Sequence, residues 1–138
     1  MGVRITATLL TVAGAVATAE EPPPLRAGMW EFTRTIESEG TSGQPQVMTS
    51  SKCTNPSQDM KGRNQQLSAM GCKVSPMTKS GKTYTFTSDC TIKGVTVHSK
   101  SVLTVESATA YTVRVESRSS SGGTNETLKA LRTGDCKK

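Results

Sequence analysis

Apolar and polar side chains alternate along the chain from Gly28 onward, which is the pattern of β-strands. In the first alternating stretch Trp30, Phe32 and Ile36 fall on one side of the backbone, and charged or hydroxylated residues fall on the other. Successive side chains of a strand point to opposite faces, so a period of two predicts a strand with one buried face. Similar patterns cover residues 46–52, the two arms of 72–90, 94–106, 111–115 and 124–132.

About seven antiparallel strands joined by polar turns predict a mostly β fold. We expect a single antiparallel sheet curved into a barrel or half-barrel meander, because such curvature hides the edges of the sheet. Pro76 cannot donate a backbone hydrogen bond, so its strand is predicted to lie at an edge or to carry a bulge. Ser99 and Ser101 interrupt the apolar side of their strand, which predicts a bulge or a bend near Lys100.

One short helix is predicted between the second strand and the hairpin over residues 72–90. Asn55 can cap a helix, Pro56 suits the first helical position, and Gln58 stands where a capping box requires it. Gly62 weakens any longer helix. We therefore expect one or two helical turns, with a plain loop as the alternative.

The spacing of the four cysteines predicts two disulfides. Counting outward from the turn at Ser80 places Cys72 roughly opposite Cys90 in a hairpin. Cys53 and Cys136 then form the second pair, and a Cys53–Cys72 bridge is the alternative. No two cysteines have the CxxC spacing of a zinc site, so no metal ligand is assigned.

The first residues have the pattern of a cleaved signal peptide. Arg4 precedes an uncharged run over residues 5–16, and Ala17-Thr18-Ala19 is the small-x-small sequence that signal peptidase accepts. The run is shorter than the roughly 20 residues of a membrane-spanning helix, so no membrane span is expected. We expect a signal peptide over residues 1–19, a proline-rich mobile lead-in over 20–27 and a single disulfide-stapled β domain over 28–138. Cleavage near Ala19 makes the mature protein periplasmic or secreted.

Composition adds that the domain has little apolar material for a core. Only 33% of the chain is hydrophobic, with two Phe, two Tyr and one Trp. A domain this poor in core residues needs another source of stability. Export delivers the cysteines to an oxidising space in which disulfides persist, so the two disulfides are expected to contribute much of the stability.

The positive charge does not predict a nucleic-acid partner. The formal net charge is +6, and Lys100, Arg114 and Arg118 are candidates for a basic outer face, but Glu106 and Glu116 are interspersed among them. Nucleic-acid binders concentrate their charge and interleave aromatic residues with it. A solvated sheet surface is the favoured interpretation of the charge, and weak contact with anionic surfaces, such as lipopolysaccharide or acidic lipids, is the functional alternative.

Catalytic chemistry has little support in the sequence. His98, the one histidine, falls on the polar side of its strand. A Ser-His-Asp triad would need a serine beside it and one of Asp59, Asp89 or Asp135. The glutamates fall on polar faces or near turns, without the pocket that an acid–base pair requires. No catalytic, cofactor-binding or metal-ligating residue is assigned, and the chain is not expected to be an enzyme.

The order of several short motifs resembles a known family. The motifs are Gly28-Met29-Trp30-Glu31, Cys53 followed by Pro56, Cys72-Lys73-Val74, Cys90, and a final Gly134-Asp135-Cys136. This layout is similar to that of the bacterial exported family catalogued as domain of unknown function 3617, over the whole mature domain from about Arg26. The resemblance implies an envelope protein with an antiparallel fold, and it transfers no activity.

Two classes of function follow from these observations. The favoured class is a non-enzymatic binding or structural module of the bacterial envelope, whose partner is an envelope protein or a small apolar ligand. It predicts a cavity lined by residues such as Trp30, Phe86 and Tyr111. The alternative is a small periplasmic hydrolase or redox-active protein, which predicts His98 in a cleft or a strained, reducible disulfide.

Overall fold

The structure, a computed structural model, describes residues 21–40 and 43–137. The predicted signal peptide over residues 1–19 lies outside these residues. The described part contains eight strands and one helix: β1 (Gly28–Ser38), β2 (Gln46–Thr54), α1 (Pro56–Ala69), β3 (Lys73–Val74), β4 (Thr78–Ser80), β5 (Thr83–Ile92), β6 (Val95–Ser107), β7 (Ala110–Ser119) and β8 (Gly122–Gly134). Every strand that the alternation predicts is present. The eighth arises because the first arm of the predicted hairpin is divided in two.

The strands form one antiparallel sheet that is not closed into a barrel. Their order is β2-β1-β8-β7-β6-β5-β3, and β4 also pairs with β5. The first and last strands of the described residues are neighbours, from Ser38 opposite Thr124 to Met29 opposite Gly134. The free edges are β2 on one side and β3 with β4 on the other. The chain passes between these edges through α1, which follows β2 and precedes β3.

The helix is longer than the one or two turns predicted, since α1 has 14 residues. Its start is as expected: Pro56 opens the first turn, and the Asn55 side chain accepts a hydrogen bond from the Gln58 amide at 3.4 Å. Gly62 costs a helix only about 1 kcal/mol relative to alanine. That cost is too small to end a helix that the flanking structure holds in place.

A disulfide lies close to each end of α1, with one cysteine just before the helix and another just after it. Cys53 pairs with Cys136, with the Cα atoms 5.4 Å apart, and Cys72 pairs with Cys90 on β5, with the Cα atoms 4.3 Å apart. This is the pairing that the hairpin register favours. The Cys72 amide also donates to the Leu67 carbonyl at 3.0 Å, which closes the last helical turn.

The first disulfide joins two strand ends that lie at the same end of the sheet. In a strict up-and-down order of seven strands, Cys136 would leave at the opposite end from Cys53. Here β2 and β8 both pair antiparallel with β1, so they run in the same direction and end together. The helix reverses the chain without adding a strand, which accounts for the difference.

The edge strand is interrupted where the sequence places its proline. Pro76 separates β3 from β4, in agreement with the restriction of proline to edges and bulges. Ser75 fills the gap, because its amide donates to the Thr87 carbonyl at 2.9 Å and its Oγ accepts from the Thr87 amide at 2.8 Å.

The prediction of a bulge near Lys100 is wrong. β6 pairs in continuous register with β5 and β7 through this region, and its irregularity lies between Val105 and Ser107. Ser99 and Ser101 stay on the concave side of the sheet, where Ser101 is buried. Serine is small and forms local hydrogen bonds, as Ser99 does with Ser117 at 3.0 Å, so the strand accepts it without a bulge.

The hydrophobic core fills one end of the concave face. Its buried residues are Leu25, Trp30, Tyr84, Leu103, Val105, Tyr111 and Ala130. Trp30 is fully buried, its ring centroid lies 5.4 Å from that of Tyr111, and its Nε1 donates to the Arg26 carbonyl at 3.0 Å. The single tryptophan therefore joins the sheet to the segment that precedes it.

The segment predicted as a mobile lead-in supplies part of this core. Pro23 and Leu25 are buried. Ser57 on α1 accepts a hydrogen bond from the Leu25 amide at 3.1 Å and donates one to the Pro23 carbonyl. The described part of the lead-in is thus packed between the sheet and the start of the helix, because its apolar side chains complete a small core.

Candidate functional site

A cavity of about 600 Å³ lies between the concave face of the sheet and α1. Residues from both free edges line it, since Met48 belongs to β2 and Met77 precedes β4. Asp59, Met60 and Arg63 of α1 line its helical side. Its volume falls within the roughly 300–1,000 Å³ typical of small-molecule sites.

The floor of the cavity is apolar. It is formed by alternating residues of the sheet: Phe32, Phe86, Leu103, Val113, Val115 and Leu128. Three methionines also line the cavity, Met48, Met60 and Met77. Flexible methionine side chains adapt to differently shaped ligands. An apolar molecule bound here would leave water at a gain of about 25 cal/mol for each Å² buried.

Charged side chains occupy part of the cavity wall. Arg34 and Glu126 form an ion pair across β1 and β8, and Asp59 accepts a hydrogen bond from the Thr54 hydroxyl. Lys52 and Arg63 also line the cavity. Neither of these two cations has an ion-pair partner within residues 21–40 and 43–137.

Tyr111 presents a hydroxyl group to the cavity. The residue is only 5% exposed, it lines the cavity, and its hydroxyl has no hydrogen-bond partner among the described residues. Burial raises the pKa of Tyr111 to about 12, while Arg63 acts to lower this pKa and Asp59 to raise it. The phenol is therefore a neutral hydrogen-bond donor at neutral pH, within electrostatic range of both helical charges.

The raised pKa of Tyr111 predicts a loss of stability in alkaline solution. The native state holds the proton more tightly than the unfolded chain, so the stabilisation is fully present below the ordinary pKa of 10.0 and is lost as pH rises toward about 12. We expect the free energy of unfolding to fall more steeply between about pH 10 and 12 in the natural protein than in a Tyr111→Phe variant. Denaturant unfolding of both proteins across this range measures the slopes. Equal slopes would contradict the prediction.

The structure brings together some of the residues that the sequence predicts for a cavity. Phe86 and Tyr111 line it, whereas Trp30 is buried in the core and does not line it. The one or two helical turns predicted from Pro56 end before Arg63, and the sequence pattern did not indicate Met60 or Arg63 as part of a cavity. Their i, i+3 spacing on one helical face was the signal available.

His98 lies on the convex face of the sheet, away from the cavity. Its Nδ1 is 2.5 Å from Oδ1 of Asp89, and the two side chains are 66% and 49% exposed. A shallow depression of about 370 Å³ beside it is lined by residues such as Ser119 and Arg118. No serine hydroxyl hydrogen-bonds to His98 in the described part of the chain. Of the three members of a triad, only the histidine and the aspartate are therefore in contact there.

The described residues include neither a cluster of metal ligands nor a helix of membrane-spanning character. Within this part of the chain, no cluster of three histidine, cysteine, aspartate or glutamate side chains could hold a metal ion. In the same residues, no helix has both the length and the apolar character that spanning a bilayer requires.

An open antiparallel sheet, with a helix held over its concave face by two disulfides and an apolar cavity between them, defines a small cavity-containing β protein. The chain belongs to the family described as Protein of unknown function (DUF3617), whose model matches residues 25–136. This match confirms the family resemblance seen in the sequence. No curated protein and no solved structure matches the chain.

Proposed function

We propose that this protein is a non-enzymatic binding module that holds a small apolar ligand between α1 and the sheet. The observation that carries the proposal is the cavity of about 600 Å³ with an apolar floor. A protein this short of core residues would gain stability by filling such a space with its own side chains. Leaving it open, under a helix that buries only Pro56, is typical of a ligand site.

The proposed place of action is the periplasm or the exterior of a bacterial cell, as a component of the envelope. All four cysteines are paired, and disulfides persist mainly in oxidising compartments. The signal-peptide pattern ending near Ala19 supports export. Weak contact with anionic surfaces, or with an envelope protein, remains part of the proposal, and no nucleic acid is involved in it.

A hydrolase is the weaker candidate. The contact between Asp89 and His98 supports it, but both side chains are exposed and a nucleophile is not placed beside them. A redox role would rest on the two disulfides alone.

A series of straight-chain alcohols tests the binding function. Each added CH₂ group gains about 0.8 kcal/mol on burial, so we expect the affinity to rise about fourfold per carbon until the chain fills the cavity. Isothermal titration calorimetry of the purified protein measures this dependence. An affinity that does not change with chain length would contradict the proposal.

Variants at two valines locate the binding. Val115→Trp places a large side chain in the cavity and is expected to weaken binding of the longest alcohol by at least about tenfold, the equivalent of about 1.4 kcal/mol. Val102, which pairs with Arg114 on the opposite face of the sheet, provides the matched control. Val102→Trp should leave the affinity unchanged, and equal weakening by both variants would place the binding elsewhere.

A further inference from the structure

Some of the hydrogen-bonding groups that line the cavity are already paired with another side chain of the protein, and others are not. Glu126 is paired with Arg34, and Asp59 accepts from Thr54. Lys52, Arg63 and the Tyr111 hydroxyl line the cavity without a partner among the described residues. The unengaged groups thus include two cations and one phenol, besides the neutral side chains of Thr49, Ser50 and Asn64, and all lie beside an apolar floor.

We infer that the ligand is an anionic amphiphile, with its acyl or alkyl body on the apolar floor and its carboxylate or phosphate head against Arg63 and the Tyr111 hydroxyl. This inference rests on the proposed function, because it names the chemical class of the ligand for the same cavity. It requires that the head group accept hydrogen bonds and carry negative charge.

Tyr111 lies between the apolar floor, where the body of such a ligand would bind, and Arg63, where its head would bind. The residue belongs to the core through Trp30, and it also lies close enough to Arg63 for the guanidinium to act on the pKa of its hydroxyl. A phenol that stays protonated donates to an anion, and hydrogen bonds to charged groups are the strong ones. The head is then held where the apolar floor meets the helix.

The net charge of the cavity wall also favours an anion. The cavity wall contains three cations and two anions, which leaves an excess of one positive charge. The cations are Arg34, Lys52 and Arg63, and the anions are Asp59 and Glu126. Attraction within a partly dehydrated cavity is stronger than at an exposed surface, because the effective dielectric constant is lower. A cationic head would instead meet Lys52 and Arg63 with only Asp59 in compensation.

Amphiphiles that share one chain and differ in head group test the inference. The probes are laurate, lauryl phosphate, lauryl alcohol and lauryltrimethylammonium, each titrated calorimetrically into the purified protein at neutral pH below its micelle concentration. We expect one or both anions to bind at least about tenfold more tightly than the alcohol, and the cation to bind most weakly. The ratio of laurate to lauryl phosphate affinity distinguishes a fatty-acid source from a phosphate-headed lipid.

Three variants assign the head-group site. Arg63→Gln should reduce the preference for the anion over the alcohol to about threefold or less, and Tyr111→Phe should weaken anion binding about tenfold while sparing the alcohol. Lys61→Gln removes the same charge from an exposed position of α1 that does not line the cavity, so it should leave the preference unchanged. Thermal unfolding shows that each variant is folded.

The outcomes separate this inference from the proposed function. Equal affinity for all four probes, or tightest binding of the cation, would overturn the anionic class and leave an apolar-ligand site in place. An equal loss of preference in Arg63→Gln and Lys61→Gln would overturn the assigned head-group position. Failure of every probe and every alcohol to bind would overturn both.

Discussion

Removal of the Cys53–Cys136 disulfide, by the double substitution Cys53→Ser and Cys136→Ser, is expected to lower the free energy of unfolding by about 4 to 5 kcal/mol. The bridge closes a loop with a sequence separation of 83, and the entropy that a cross-link removes from the unfolded chain grows with loop length. A domain of this size has a total stability of about 5–15 kcal/mol. Urea unfolding at equilibrium, followed by circular dichroism, measures the loss.

The native structure shows which part of the fold this bridge holds. β8 lies inside the sheet between β1 and β7, so it is already paired on both sides. β2 is paired on one side only, and all of its side chains except Thr54 are exposed. The bridge therefore fixes the free edge and the start of α1, and its loss should also increase amide hydrogen exchange in β2.

Cys72→Ser with Cys90→Ser is the matched control for loop length. That bridge has a sequence separation of 18, for which the same relation gives about 3 kcal/mol. A larger loss from the shorter loop would contradict the entropic explanation. It would show instead that the position of the second bridge, at the end of α1, matters more than its length.

Trp30→Ala is expected to lower the free energy of unfolding by about 3 to 5 kcal/mol, the range for truncating a large buried aromatic residue. Trp30 is fully buried, packs against Tyr111, and donates a hydrogen bond to Arg26. Truncation removes the largest apolar side chain of a small core and releases the segment that contains Leu25. Urea unfolding followed by far-ultraviolet circular dichroism measures the change, since tryptophan fluorescence is lost with the residue.

Trp30→Phe separates the ring from the hydrogen bond. It keeps an aromatic side chain, so we expect a smaller loss of about 1 to 2 kcal/mol from the missing hydrogen bond and the remaining space. Equal losses in the two variants would show that the bond to the Arg26 carbonyl, and not the packing, accounts for the effect. A loss of under about 1 kcal/mol in Trp30→Ala would contradict the central place of this residue in the core.

Local signals in the sequence predicted the strands and their faces well. Trp30 and Phe32 lie on the concave side, Pro76 interrupts an edge, and Asn55 caps the helix. Each of these features depends on residues close together in the chain. Gly62 predicts a shorter helix than α1, because the disulfides and the core contact of Met60, which hold the helix in place, are not local features of the sequence.

The candidate site was predicted only in part, for the same reason. Phe86 and Tyr111 were expected in a cavity because strand periodicity places them on the buried face. Arg63 and Lys52 carry ordinary surface signals, and nothing in their local sequence indicates that α1 and β2 face a common space. Leu25 was assigned to a loose lead-in because its packing depends on residues far along the chain.

The sequence by itself determined the class of fold, the buried side of the long alternating strands, the family and the disulfide pair of the hairpin. A period of two and a turn residue act over a few positions, so they can be recognised without knowledge of the rest of the chain. Only the tertiary structure decided that β1 lies beside β8, that the sheet stays open between β2 and β3, and that α1 covers a cavity there. Those features depend on pairing between residues up to about a hundred positions apart, and on the two disulfides that join the flanks of α1 to distant parts of the chain.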